Sequence, residues 1–157
     1  SSTFTGYIIR RFNDVLQSVV VLAAYIPMLM DTSGNAGSQS ATMVIRGLAL
    51  NELKLNDILR VIWKEFRVSL IVGAVLTIVN FLRIYLIEGT DLNISAVVCM
   101  SLFITVILAK VIGGSLPIIA KKLRLDPAIM ASPFITTIVD AIVLSTYFTL
   151  ATWLLHI

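Results

Sequence analysis

Residues 94–116, ISAVVCMSLFITVILAKVIGGSL, decide the fold, because they contain a single charged side chain, Lys110. A helix needs about 20 apolar residues to cross the ~30 Å hydrocarbon layer of a bilayer. This run has that length, and Pro117 directly after it is typical of a helix end. We therefore predict a membrane-spanning helix that ends at Pro117.

Three further segments have the same apolar character. Leu16–Ile45 is long enough to cross with a tilt or a break, and Val68–Ile87 crosses in one run. The last segment begins at Pro127 or Phe134 and ends at Leu155. Ser1–Ile9 is too short to span and is interpreted as the remnant of a further helix, with an interfacial lead-in as the alternative. The predicted fold class is an all-α integral membrane bundle of four complete transmembrane helices plus a partial N-terminal fifth.

The composition excludes an ordinary soluble domain. Of the 157 residues, 58% are hydrophobic and 13% are charged, whereas soluble domains have about half apolar and about a quarter charged residues. We expect one membrane domain over residues 1–157, located in the cell membrane. Cys99 and His156 are the single cysteine and the single histidine, so neither an intrachain disulfide nor a histidine metal cluster is available.

The basic residues mark two connections between the spans. Arg46–Arg67 holds five lysines and arginines, and Lys121–Arg124 holds three, so both are predicted to face the cytoplasm. Within the first connection, apolar residues from Leu55 to Trp63 recur at helical spacing. This pattern predicts a short helix at the membrane surface before the next span, and a partner-docking helix is the alternative.

Charged residues inside spans are costly and are therefore functional candidates: Asp31, Lys110 and Asp140. The long stem of Lys110 lets its amine reach the headgroups, which favours a structural role. Ser132, Thr136 and Asp140 are spaced by four and share one helix face. A pairing of Asp140 with Lys110, or the capping of a backbone break, is the alternative interpretation.

The first span has a matching face. Helical spacing places five of its residues within about a third of the helix surface: Asp31, Gly34, Asn35, Ser38 and Thr42. A small-residue packing seam is the alternative. Oxygen ligands without cysteine or histidine suit hard cations such as Mg²⁺ and Ca²⁺. Since Mg²⁺ keeps several waters, a symmetric dimer that doubles Asp140 is an attractive arrangement.

The motifs PMLMDTSGNAGSQSAT (27–42) and GGSLPIIAKKLRLDPAIMASPFITTIVDAI (113–142) resemble the signature regions of the MgtE family of magnesium channels. The resemblance implies a homodimer whose pore is lined by the helix with the Asn-Ala-Gly segment and by the last helix. It implies that Asp140 binds hydrated Mg²⁺. Asn35, Ser38, Thr42, Ser132, Thr136 and Thr137 would then line the path.

The resemblance also sets expectations for the ends of the chain and shows two departures. Family members have five transmembrane helices, so Ser1–Tyr7 would be the tail of the first. Bacterial members usually carry Mg²⁺-sensing domains before the membrane part, and the sequence contains none, which suggests an isolated membrane domain or a short relative. Val143 stands where many members have glycine, and this chain has Ser33-Gly34-Asn35 where members often have Gly-Gly-Asn.

The predicted function is Mg²⁺ transport through a homodimeric channel, and a cation-coupled secondary transporter of divalent metals is the alternative. The transported ion is Mg²⁺, with other divalent cations as further candidates. The predicted partners are a second copy and the lipid bilayer, without nucleic acid. No catalytic group accompanies the aspartates, so an enzyme is not predicted. Asp126 before Pro127 is predicted to cap a helix and also to attract cations at the inner mouth.

Overall fold

The computed structural model describes residues 17–130 and 132–156, and the side chains of Met130 and Ser132 are not described. Four long helices make up most of this part: α1 (Ile26–Ala49), α2 (Ile58–Leu82), α3 (Leu92–Lys122) and α4 (Ser132–Leu155). The connections contain 3₁₀ turns at Leu55–Asp57 and Pro127–Met130 and a π turn at Arg83–Ile87. The predicted partial helix, Ser1–Ile9, lies outside the described residues.

Each of the four helices is long and apolar enough to cross a membrane. Helical residues 17–24 precede α1, with a turn at Tyr25, so the first span covers Gln17–Ala49. The spans that follow lie within Leu55–Ile87, Leu92–Lys122 and Pro133–Leu155. The prediction of four transmembrane helices is therefore confirmed for the described part of the chain.

The start of α2 corrects the prediction of a separate surface helix. The helix runs without interruption from Ile58 into the span, so the amphipathic segment forms its first turns. No proline or glycine lies between Ile58 and Val68, so nothing interrupts the backbone hydrogen bonds. These first turns of α2 have one face against the bundle and one face outside it, since Val61 is buried and Trp63 is exposed.

The end of α3 is a second correction, because the helix continues through Pro117 to Lys122. It ends where Arg124 adopts φ 62°. There the Leu125 N–H donates to the Ala120 carbonyl at 2.8 Å, which is the pattern of a helix closed by a left-handed residue. The backbone conformation after the helix, rather than the proline within it, stops α3.

The central helix is α3, which contacts the other three. Helices α1 and α4 pack against α3 and against each other, whereas α2 packs mainly against α3. The tightest crossing joins Gly37 of α1 to Gly113 of α3. A Cβ atom added at Gly113 would lie 2.8 Å from Gly37 Cα and closer still to the Gly37 carbonyl oxygen. The two backbones are therefore in direct contact, which two glycines make possible.

The break in the first span is held by α4. Pro27 has no N–H, so the helix cannot form its usual hydrogen bond at this turn. The fully buried Tyr147 of α4 donates from its hydroxyl to the Leu22 carbonyl oxygen at 2.7 Å. This hydrogen bond joins α4 to the residues just before the turn at Tyr25.

Replacing Tyr147 by phenylalanine tests this contact. The change keeps the ring but removes the donor from α4, so the Leu22 carbonyl keeps only the longer hydrogen bond from the Tyr25 N–H, at 3.2 Å, and we expect a loss of about 1 kcal/mol in stability. Thermal unfolding of the purified protein in detergent should show a decrease of a few degrees. Tyr85→Phe, at an exposed position, is the matched control, and equal melting temperatures for the two variants would contradict the assignment.

Candidate ion pathway

One face of α1 carries polar side chains that the described chain leaves uncovered. Asp31, Asn35 and Thr42 are exposed, and Ser38 is partly exposed. Two more exposed residues share this face by helical phase, and the sequence analysis did not single them out. We call the set the α1 polar stripe: Asp31, Asn35, Ser38, Gln39, Thr42 and Arg46. Because polar groups facing lipid are costly, this face requires water or protein against it.

Helix α4 lies directly beside the α1 polar stripe. Ile135 and Val139 of α4 pack on Gly37, and Thr136 packs on Gly34, where an added Cβ would lie 3.5 Å from Thr136 Cγ2. Thr136 and Asp140 are one helical turn apart and both are partly exposed. The structure therefore places Gly34 of α1 and Thr136 of α4 in contact, with Asp140 on the next turn.

Asp140 has one carboxylate oxygen that its surroundings do not satisfy. Its Oδ1 atom is buried and has no hydrogen-bond partner among the described residues. The predicted alternative, a pairing with Lys110, is not found, because the one ion pair within the described residues joins Arg83 to Glu88. A buried carboxylate oxygen without a donor is unfavourable, so this position favours a cation or its bound water.

A single chain does not surround such a cation with carboxylates. In the described part of the chain, no three residues of the types His, Cys, Asp or Glu lie close enough to share a metal ion. Asp140 thus stands as a single carboxylate, with the neutral side chain of Thr136 one helical turn away. This arrangement suits an ion that keeps most of its own waters, and Mg²⁺ does so in most of its protein sites.

The other predicted residues of α4 have different surroundings. Thr137 is exposed, and its hydroxyl donates to the Pro133 carbonyl oxygen at 2.9 Å. Ser145 and Thr149 likewise donate to carbonyls of their own helix, at 2.8 and 2.7 Å. Ser132 is the first residue of α4, but its side chain lies outside what the structure describes.

Asp126 lies in the connection between α3 and α4. Its Oδ1 accepts a hydrogen bond from the Ala128 N–H at 3.0 Å, and the residue is exposed. This is the capping contact that the sequence predicts, here at the start of the 3₁₀ turn Pro127–Met130. Its carboxylate stands at the same end of the bundle as the end of α1 and the start of α2, which we call the basic end.

Two further charged residues lie within the bundle. Lys110 is only 7% exposed, so the other helices cover most of its side chain, and the position of its amine at the headgroups stays a prediction. Glu65 is only 5% exposed and accepts a hydrogen bond from Ser40. Glu65 was not predicted as a buried residue, because the apolar run starts at Val68 and the residues before it were assigned to a surface connection. The early start of α2 brings this carboxylate into the bundle.

Comparison with known proteins covers both helices of the candidate pathway. The sequence profile of the MgtE family, described as divalent cation transporter, matches residues 26–150, which include the α1 polar stripe, Thr136 and Asp140. The chain belongs to the MgtE family.

Curated MgtE proteins match nearly the whole chain. The magnesium transporter MgtE of Bacillus subtilis is 41% identical over 152 residues, which are 97% of this chain and 34% of that protein. The magnesium transporter MgtE of Thermus thermophilus is 38% identical over 97% of this chain and 33% of its own length. That of Enterococcus faecalis is 31% identical over 94% of this chain and 32% of its own length.

The chain spans about a third of the length of the curated MgtE relatives it matches. Membership of a transporter family and four helices able to cross a bilayer agree with each other. The chain is therefore a multi-pass membrane protein of the cell membrane. The prediction that it resembles MgtE proteins is confirmed.

Proposed function

We propose that this chain conducts Mg²⁺ across the membrane through a pore formed by two copies, with Asp140 of each copy at the central site. The observation that carries the proposal is the α1 polar stripe, which lies uncovered beside the buried and unpaired Oδ1 of Asp140. The named activity of the curated relatives, magnesium transport, supports the choice of ion.

A second copy explains what covers the polar face. A carboxylate and two amides exposed to lipid would be costly, whereas an identical stripe across a two-fold axis encloses a polar path between the copies. In a two-fold dimer, a residue close to the axis meets the same residue of the other chain. Two Asp140 side chains then face one hydrated ion, although each chain contributes a single carboxylate.

The remaining residues act through the ion's water. Asn35, Ser38 and Thr42 on α1 and Thr136 on α4 offer amide and hydroxyl oxygens that accept hydrogen bonds from bound waters. Asp126 adds negative charge at the basic end and attracts cations toward the mouth. The set that we assign to the path is Asp31, Gly34, Asn35, Ser38, Gln39, Thr42, Ser132, Thr136, Thr137 and Asp140.

Uptake of Mg²⁺ into liposomes tests the proposal. Purified protein in liposomes that contain a Mg²⁺-sensitive dye should admit Mg²⁺ down its own gradient, with no Na⁺ or pH gradient imposed. Empty liposomes give the background, and the molar mass of the protein in detergent should be that of two chains. Uptake that requires an H⁺ or Na⁺ gradient would replace the channel by a coupled transporter, and a monomer would contradict the pore between copies.

A further inference from the structure

Glu65 is a buried carboxylate that the proposed ion pathway does not use. It lies on α2 and is 5% exposed, and its Oε2 accepts a hydrogen bond from the hydroxyl of Ser40 on α1 at 2.6 Å. Ser40 is 1% exposed. A short hydrogen bond to a carboxylate is stronger than one between neutral groups, so this contact joins α2 to α1 within the bundle.

Ser40 lies on the back of the α1 polar stripe. It stands two positions after Ser38 and two before Thr42, which places it about 160° around the helix from each. The hydrogen bond from Ser40 to Glu65 therefore holds the face of α1 opposite to the candidate pathway. Since α2 otherwise packs mainly against α3, this hydrogen bond is a specific contact through which α2 can influence the rotation of α1 about its own axis.

Helix α3 provides the room for this contact. A Cβ atom added at Gly114 would lie 3.0 Å from Glu65 Cγ and 3.3 Å from Val61 Cγ1. The stem of Glu65 thus passes over a glycine of α3 on its way to α1. Three helices therefore meet at one carboxylate. Glu65 of α2 is the acceptor, Ser40 of α1 is the donor, and Gly114 of α3 leaves space for the Glu65 side chain.

We infer that Glu65 is a positioning residue for the ion pathway: through Ser40 it fixes the rotation of α1 at the basic end and so the direction of Ser38 and Thr42. This inference rests on the proposed function. An apolar side chain of the same size would fill the space, but it would not favour one rotation of α1, because packing contacts are less directional than a hydrogen bond.

Transport kinetics separate the hydrogen bond from the volume and from the charge. Glu65→Gln keeps an acceptor for Ser40, so the half-saturating Mg²⁺ concentration should stay within about twofold of wild type. Glu65→Leu removes the acceptor, and that concentration should rise about tenfold, with a smaller change in maximal rate. Ser40→Ala should give a similar rise, and Ser40→Ala combined with Glu65→Leu should add little, because both remove one contact.

Glu52→Gln is the matched control. Glu52 is exposed and lines the same cavity of about 370 Å³ as Glu65 at the basic end, so its loss changes the local charge without touching Ser40. It should leave the half-saturating concentration unchanged. Equal losses in Glu65→Gln and Glu65→Leu would show that the charge itself is required, and this would overturn the positioning role.

A second measurement does not depend on transport. In a Cys99→Ser background, Thr42→Cys places a thiol on the α1 polar stripe, and its rate of reaction with a water-soluble thiol reagent reports the rotation of α1. Adding Glu65→Leu should change this rate about fivefold or more, whereas Glu65→Gln and Glu52→Gln should not.

The two measurements distinguish failure of the inference from failure of the proposed function. If the wild-type protein conducts Mg²⁺ while Glu65→Leu changes neither uptake nor thiol reactivity, the inference fails and the proposed function stands. If the wild-type protein does not conduct Mg²⁺, the proposed function fails, and the thiol rates still show whether Glu65 fixes α1.

Discussion

We expect that replacing Asp140 by asparagine abolishes Mg²⁺ uptake into liposomes, with a decrease of at least about 100-fold, while the protein stays folded. Asparagine has nearly the same shape as aspartate, so the packing of α4 on α1 is retained. The negative charge is lost, and in a dimer it is lost from both copies. A divalent ion in a poorly screened environment depends on such charges, because neutral oxygen groups compensate only part of the cost of leaving bulk water.

The control for this variant is Asp91→Asn, which makes the same chemical change at an exposed position outside the spans. It should leave the uptake rate within about twofold of wild type, because exposed charges are well screened. Both variants should elute at the same volume in size-exclusion chromatography as the wild type. Mg²⁺ uptake by Asp140→Asn at the wild-type rate would contradict the assignment of Asp140 to the central site.

The four spans could be predicted because the length of an apolar run is a direct physical requirement of the bilayer. The ends of the helices could not be, since a helix continues past its apolar part until something breaks its hydrogen bonds. Between Ile58 and Val68 no residue breaks these hydrogen bonds, so α2 starts earlier than the hydropathy indicates. At the end of α3, the positive φ of Arg124 closes the helix, and a positive φ at an arginine has no clear signature in the sequence.

Helical phase alone predicted most of the candidate pathway. It placed Asp31, Asn35 and Thr42 on one face, and the same geometry applied to every polar residue would have added Gln39 and Arg46. The contact between α1 and α4 could not be derived in this way, because it depends on which helices are neighbours. Glu65 was missed for a related reason: its burial follows from the packing of α2 on α3, not from its local sequence.

Replacing Gly113 by alanine should prevent the close crossing of α1 and α3. The added Cβ would lie 2.8 Å from Gly37 Cα and even closer to the Gly37 carbonyl oxygen, so neither atom can move without moving a helix backbone. We expect a loss of about 3 kcal/mol in stability and a melting temperature in detergent lower by roughly 10 °C. Mg²⁺ uptake should be lost as well, because α1 must shift relative to α3 and α4.

Gly34→Ala separates this crossing from a general effect of replacing glycine. Its Cβ would lie 3.5 Å from Thr136 Cγ2, an ordinary van der Waals contact, so the variant should melt within a few degrees of wild type. Alanine is intrinsically favoured over glycine in a helix by about 1 kcal/mol, so helix propensity alone would stabilise both variants. A large loss at Gly113 and not at Gly34 can then come only from the contact with Gly37. If both variants lost stability equally, the close crossing of Gly113 with Gly37 would be wrong.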